Sequence, residues 1–266
     1  MNPDFKTITV AIDGPVARVA FNRPEVHNAF NDIMIEELLA VYNELAEDDG
    51  VRVVVLTGNG ESFCAGADLN WMCRVKDYSF EENLEDSLKL AELFYRIYSL
   101  PKPTVGRING AAIGGGTGFV AVSDIAIAAT TAKFSFSEVK IGVVPACISP
   151  YVVRRIGEGK TREFFLTGER LPAERALAAG LVNRMVPKED LDRAVEDAVN
   201  QFLACGPEAL ATCKELLEKV PLMSFEEVKK YTAETIARLR ISAEGQEGMA
   251  AFLEKRLPKW VLKKQH

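Results

Sequence analysis

The sequence predicts an α/β fold, a spiral of β-β-α units followed by a helical C-terminal region. Three observations lead there. Short alternating or β-branched runs at residues 7–12, 16–21, 53–56, 104–108, 125–129 and 133–136 read as strands. Stretches of helical periodicity separate them, in a strand, strand, helix order whose spacing recurs roughly, without an alignable sequence repeat. From about Ser149 the pattern becomes mostly helical, and no low-complexity linker marks the change. The expected division is an α/β core over residues 1–200 and a helical region over 201–266.

The elements follow in order. Residues 7–12 alternate, Asp13-Gly14 turns, and residues 16–21 continue, which is a hairpin signal. Asn31 is placed to cap a helix running to about Asp48, with Ile35, Leu38, Leu39, Tyr42 and Leu45 on one face. Residues 53–56 form a continuous apolar run, typical of a strand buried on both sides. A loop rich in small residues spans 58–66. Residues 80–99 read as an amphipathic helix ended by Leu100-Pro101. Residues 104–108 give the next strand, Asn109-Gly110 a turn, and 115–122 a short helix. Two strands at 125–129 and 133–136 close the α/β part. Helices are expected at 149–156, 162–167, 173–179, 190–204, 207–218, 225–241 and 244–257.

Composition narrows the function. The chain has 266 residues, 48% hydrophobic and 26% charged, enough for one sizeable core. A net charge of −6 argues against broad nucleic-acid binding. The opening MNPDFKTITVAIDG has no charged segment before an apolar one, so no signal peptide is expected, and no run is long and apolar enough to span a membrane. Five cysteines without a CxxC pair suggest reduced thiols in a cytoplasmic compartment. The only histidines are His27 and His266. HExxH zinc chemistry is therefore impossible, and no GxSxG elbow supports a serine triad. Acid–base work falls to carboxylates, Tyr or Lys. No metal cluster is visible.

Two loops of small residues each follow a buried strand. They are Phe63-Cys64-Ala65-Gly66-Ala67-Asp68-Leu69 and the run Gly110 to Gly118, which opens a helix. Small residues let a ligand approach the main chain. The helix start leaves N–H groups unpaired, so an oxyanion can sit there. A second N–H from the first loop would complete an oxyanion hole, in which one donor is typically worth roughly 3–4 kcal/mol. Glycines also serve turns and tight packing. A dinucleotide fold fits less well, because Gly110-Ala-Ala-Ile-Gly114 lacks the GxGxxG spacing. A P-loop fails because no Gly-Lys-Ser/Thr follows.

Together these loops resemble the crotonase (enoyl-CoA hydratase/isomerase) superfamily. The likeness spans nearly the whole chain. It includes Phe21-Asn22-Arg23-Pro24-Glu25 with Asn28-Ala29, Ala65-Gly66-Ala67-Asp68-Leu69, Gly114-Gly115-Gly116, Ser123-Asp124-Ile125, Ser137-Glu138, Ile141-Gly142-Val143-Val144-Pro145 and Glu247-Gly248-Met249-Ala250-Ala251-Phe252. The resemblance implies a crotonase-like spiral binding an acyl-CoA thioester, with the C-terminal helices forming a homotrimer or a dimer of trimers. It implies that the N–H groups of Ala67 and Gly115 hold the thioester oxygen. Ala65, Asp68 and Leu69 lie where the family contacts CoA, with Gly114 beside them and His27 near the adenine. Phe252, Lys255, Arg256 and Lys259 lie in a tail that often covers CoA, sometimes from a neighbouring subunit. A solvated helix face is the plainer alternative for those cations.

Glu138 matches one of two catalytic glutamates of family hydratases. The other position is Gly118, which cannot do acid–base work. A hydratase using Glu138 alone, an isomerase shuttling a proton between Cα and Cγ, and a silent acyl-CoA or RNA binder are the alternatives. No cofactor is implied, coenzyme A being part of the substrate. Residues 66–72 and 137–152 are similar to bacterial methylglutaconyl-CoA hydratases of leucine degradation, which suggests 3-methylglutaconyl-CoA as substrate. Arg74, Lys76 and Lys140 are candidates for its distal carboxylate. Trp71 and Met72 either line the acyl pocket or belong to the core. Asp124 reads as a structural hydrogen-bond partner, and Cys64 and Cys147 as packing residues.

Overall fold

The computed structural model describes residues 5–261; His266 lies outside them. Strands β1 (Ile8–Asp13) and β2 (Val16–Phe21) form the expected antiparallel hairpin. Helix α1 (Asp32–Glu47) starts where the Asn31 side chain accepts the Met34 N–H, and Leu39 is only half-buried on its inner face. Strand β3 (Val53–Gly58) runs parallel to β2. Next come α2 (Leu69–Val75) and α3 (Phe80–Tyr98), the latter with a Ser79/Glu82 capping box. Then follow β4 (Thr104–Ile108), β5 (Ala112–Ile113), α4 (Gly115–Val122), β6 (Ile125–Ala129) and β7 (Lys133–Ser135).

Residues 149–156 and 162–167, read as two helices, form one element, α5 (Ser149–Thr167), interrupted at Gly157 with φ 73°. It is followed by β8 (Arg170–Pro172), α6 (Ala173–Ala178), β9 (Arg184–Val186), α7 (Leu191–Leu203), α8 (Pro207–Lys219), α9 (Phe225–Ile241) and α10 (Ala243–Leu253). The last helix ends earlier than residue 257, at Leu253, and Lys255 then takes φ 55°.

The main sheet has the order β1-β2-β3-β4-β6-β9, parallel beyond the hairpin, and β5-β7-β8 make a small second sheet. Two strands then a helix recur as β1-β2-α1, β4-β5-α4 and β6-β7-α5. Both faces of the main sheet are covered, as parallel strands require. Val53 and Val55 face one way, against Leu191, Val195, Ala198 and Val199 of α7. Val54 and Leu56 face the other way, into the larger core with Leu38, Tyr42, Phe94 and Ile97. Among the described residues no helix is long and apolar enough to cross a membrane, and no group of three or more His, Cys, Asp or Glu is placed to hold a metal.

Strands β2, β3 and β4 end at one edge of the sheet, at Phe21, Gly58 and Ile108. The segments that leave those ends pair with one another through the bridges Phe30–Ala67 and Cys64–Ala112. In parallel sheets this carboxyl edge is the usual place for a ligand.

Candidate active site

The two loops of small residues meet at that edge because their backbones hydrogen-bond. The Ile113 N–H donates to the Cys64 carbonyl at 3.0 Å, and the Cys64 N–H to the Ala111 carbonyl at 2.9 Å. Each loop turns one amide outward. The Gly66 carbonyl accepts the Phe30 N–H at 2.8 Å. A trans peptide directs its N–H opposite its carbonyl, so the Ala67 N–H points away from Phe30. Gly66 makes the bend with φ 94°, and a Cβ there would lie 2.8 Å from the Ile113 carbonyl oxygen. In the second loop the Gly114 carbonyl accepts the Thr117 N–H at 2.8 Å, which leaves the Gly115 N–H pointing the other way. Gly114 has φ 54° and ψ −129°, a conformation only glycine adopts readily. Among the described residues neither the Ala67 nor the Gly115 N–H meets an acceptor.

Both residues line a cavity of about 450 Å³, together with Ala65, Leu69, Trp71, Met72, Gly114 and Glu138. Glu138 sits in a 3-10 turn, Ser137–Ile141, directly after β7. Its Oε1 is 3.2 Å from where a Cβ on Gly114 would lie, so the absence of a side chain at 114 makes room for the carboxyl. Its Oε2 is buried without a partner. Burial pushes the carboxyl above its ordinary value, an effect its own backbone N–H only partly offsets. The rest of the lining is apolar apart from Ser87, Ser137 and Cys147, and burial pushes the Cys147 thiol up as well. Among the described lining residues there is no Lys, Arg or His.

Several expected ligand-binding residues lie elsewhere. The Asp68 carboxylate is turned inward, pairs with Arg23 at 2.7 Å and caps α2 by accepting the Asn70 and Trp71 N–H groups. Burial pushes this carboxyl up, but the bonds from Arg23, Trp71 and Asn70 outweigh it and hold it below its ordinary range. The His27 carbonyl accepts the Ala65 N–H at 3.0 Å, and its exposed ring faces Ser62, outside the cavity lining. Gly118 does not reach the cavity either, because Ile148 and Phe94 stand in its side-chain space.

The tail is farther still. Trp260 donates to the Ala204 carbonyl and accepts from Arg52, just ahead of β3 and at the opposite end of the sheet. Phe252, Lys255 and Lys259 are exposed beside it, and Glu247 engages Lys259 and Arg256. None of them lines the cavity of its own chain. Arg74 pairs with Asp32, and Arg74, Lys76 and Lys140 are exposed and outside the lining. Asp124 is structural, bonding Thr104 and pairing with Lys214 at 2.7 Å. Cys64 is fully buried, with its thiol pushed up to about 12.

Trp71 is both lining and core: it is 7% exposed, packs on Phe30 with ring centres 5.7 Å apart, and has a buried Nε1–H without a partner. Residues overlooked in the sequence are Arg23 as the partner of Asp68, and Phe94 and Ile148 as cavity walls. Arg23 and Ile148 lie within segments that carry the family resemblance, whereas nothing local marks Phe94.

Comparisons with known proteins identify the family. The family model described as enoyl-CoA hydratase/isomerase matches residues 11–263. A crystal structure of an enoyl-CoA hydratase from Shewanella pealeana has a TM-score of 0.93 and 39% identity, covering 96% of each chain. A short-chain-enoyl-CoA hydratase of Clostridium acetobutylicum is 29% identical over 95% of this chain and 97% of its own. A trans-2-decenoyl-[acyl-carrier-protein] isomerase of Streptococcus mutans is also 29% identical, over 97% and 98%. With its paired amides, its carboxyl-edge cavity and this family match, the chain belongs to the enoyl-CoA hydratase/isomerase family and is an acyl-CoA enzyme of the crotonase fold.

Proposed function

We propose that the protein hydrates a 2-enoyl-CoA thioester with Glu138 as its only acid–base group. The observation that carries this is the buried Glu138 carboxyl, its Oε2 without a partner, in one cavity with the two unpartnered N–H groups of Ala67 and Gly115. The thioester oxygen accepts both N–H bonds, which draws electron density from Cβ and stabilises the enolate. Water adds to Cβ, its proton passes to the Glu138 carboxylate, and the carboxyl returns a proton to Cα. The enzyme ends unchanged and the product carries one added water. Coenzyme A belongs to the substrate, and no cofactor takes part.

The acyl group is apolar. The described lining residues of the chain offer no cation to pair with a distal carboxylate, and burying an unpaired carboxylate is costly. This argues against 3-methylglutaconyl-CoA and a place in leucine breakdown. A second reading, isomerisation by proton transfer between Cα and Cγ, is favoured by the closed space at Gly118, since one carboxyl suffices for it. Residues 201–266 are assigned to self-association as a homotrimer or dimer of trimers. Support comes from Leu217, Leu222, Phe225, Ile241 and Leu253, which are 73–83% exposed. Light scattering giving a mass three or six times that of the chain would agree, and a monomer would refute it. Five free cysteines fit a cytoplasmic location.

The test is turnover of crotonyl-CoA, 3-methylglutaconyl-CoA and a 3-enoyl-CoA by wild type and Glu138→Gln, with products identified by mass. Gain of water, lost in the variant, supports the hydratase. Rearrangement without mass change supports the isomerase. Turnover untouched by the substitution removes Glu138 from the mechanism.

A further inference from the structure

The cavity has an open rim and a closed floor. At the rim Leu69, Ile141 and Val144 are at least 61% exposed; at the floor Phe30, Phe94 and Ile148 are at most 2% exposed. The floor lies close to the reacting atoms. Gly115 and Gly118 are three residues apart on α4, which is about 4.5 Å along the helix axis. At Gly118 the Phe94 ring lies 2.9 Å from where a Cβ would be, and the Ile148 methyl would overlap it. A chain extending from a thioester held at Gly115 toward the floor therefore meets Phe94 and Ile148 within a few carbons.

Phe94 is held by Phe119, with ring centres 4.9 Å apart, and by Tyr151 at 6.4 Å. Tyr151 stacks in turn on Tyr98 at 5.1 Å. On the far side of these rings lies a second cleft of about 560 Å³, lined by Tyr98, Tyr151 and Arg154 among others. Phe94, which lines the cavity, and Tyr151, which lines the cleft, thus stand in series between the two.

We propose that Phe94, with Ile148 beside it, is the end stop that sets the length of the acyl chain. The proposal rests on the reading of the cavity as the acyl site. Removing the ring opens the floor toward the Tyr151 cleft and admits longer chains.

The experiment compares kcat/KM for crotonyl-CoA, 2-hexenoyl-CoA and 2-decenoyl-CoA in wild type, Phe94→Ala, Phe94→Leu and Ile148→Ala. A single misfit methylene typically costs roughly 10–200-fold in specificity. The wild type is expected to favour the four-carbon chain over the ten-carbon one by at least about tenfold. Phe94→Ala is expected to raise the ten-to-four ratio by at least about tenfold. Phe94→Leu and Ile148→Ala carry the test if the alanine variant fails to fold, and the wild-type profile stands without any variant. A flat wild-type profile, or an unchanged ratio in a folded variant, overturns the end stop alone. Wild type inactive on all three chains overturns the proposed function and the end stop together.

Discussion

Arg23 grips Asp68 at 2.7 Å with its other guanidinium nitrogen on the Ala29 carbonyl, and so ties the loop carrying the Ala67 amide to the segment before α1. The two side chains are 17% and 4% exposed. Removing one partner of a buried pair strands the other, at a cost of about 3–5 kcal/mol. Asp68→Asn is expected to lower the melting temperature strongly and, by loosening the Ala67 amide, to lower kcat. An unchanged melting temperature would refute the anchoring role. The effect has a sign in pH. Because the folded carboxyl is held below its ordinary 3.8, its stabilisation is present above that value and is lost as pH falls through the folded one. The stability gap between wild type and Asp68→Asn should therefore close in acid.

Gly114→Ala tests the second amide. Its backbone angles are unfavourable for any Cβ, and that Cβ would crowd the Glu138 carboxyl. Re-aiming the Gly115 N–H should cost kcat about 10²–10³-fold, the range for losing one oxyanion donor. Full activity in a folded variant would exclude Gly115 from the oxyanion hole.

The pH profile follows from Glu138. The group acts as a carboxylate when it takes the proton of water, and burial raises its pKa above the ordinary 4.5. The acidic limb of kcat/KM should therefore have its midpoint above 4.5 and should be absent from any residual activity of Glu138→Gln. A limb that survives the substitution would belong to another group.

Gly118→Glu should not install a second catalytic carboxylate. Its side chain would collide with Ile148 and Phe94, so overpacking of about 1–3 kcal/mol and burial of a charge are expected. Thermal melting and crotonyl-CoA turnover check this; a stable variant with faster hydration would show that the space can open.

The strands and helix starts were legible because their signals are local: the β-branched run at Val53 and the Asn31 cap each act within a few residues. Helix α2 escaped notice because its cap, Asp68, sits inside a loop of small residues and only seven residues follow. Strands β5, β8 and β9 have two or three residues each, too few to show alternation. In the site, Glu138 and the two glycine loops were visible, whereas Arg23 with Asp68, and Phe94 with Ile148, depend on packing between segments distant in sequence. The tail shows the same limit. Its expected contact with CoA came from the family resemblance, while Trp260 fastens it to Ala204 and Arg52 at the far end of the sheet of its own chain.

The two outward amides are supplied by the main chain and aimed by main-chain bonds at Phe30 and Thr117. Short of proline, replacing a side chain cannot delete such a donor; it can only displace it. In the proposed reaction the electrophilic half of the chemistry lies in the path of the backbone, and the proposed choice of acyl group in replaceable side chains, Phe94 and Ile148. Selectivity on this scaffold can drift by point mutation while the power to stabilise an enolate stays in place, which makes the protein a favourable starting point for directed evolution toward new thioesters.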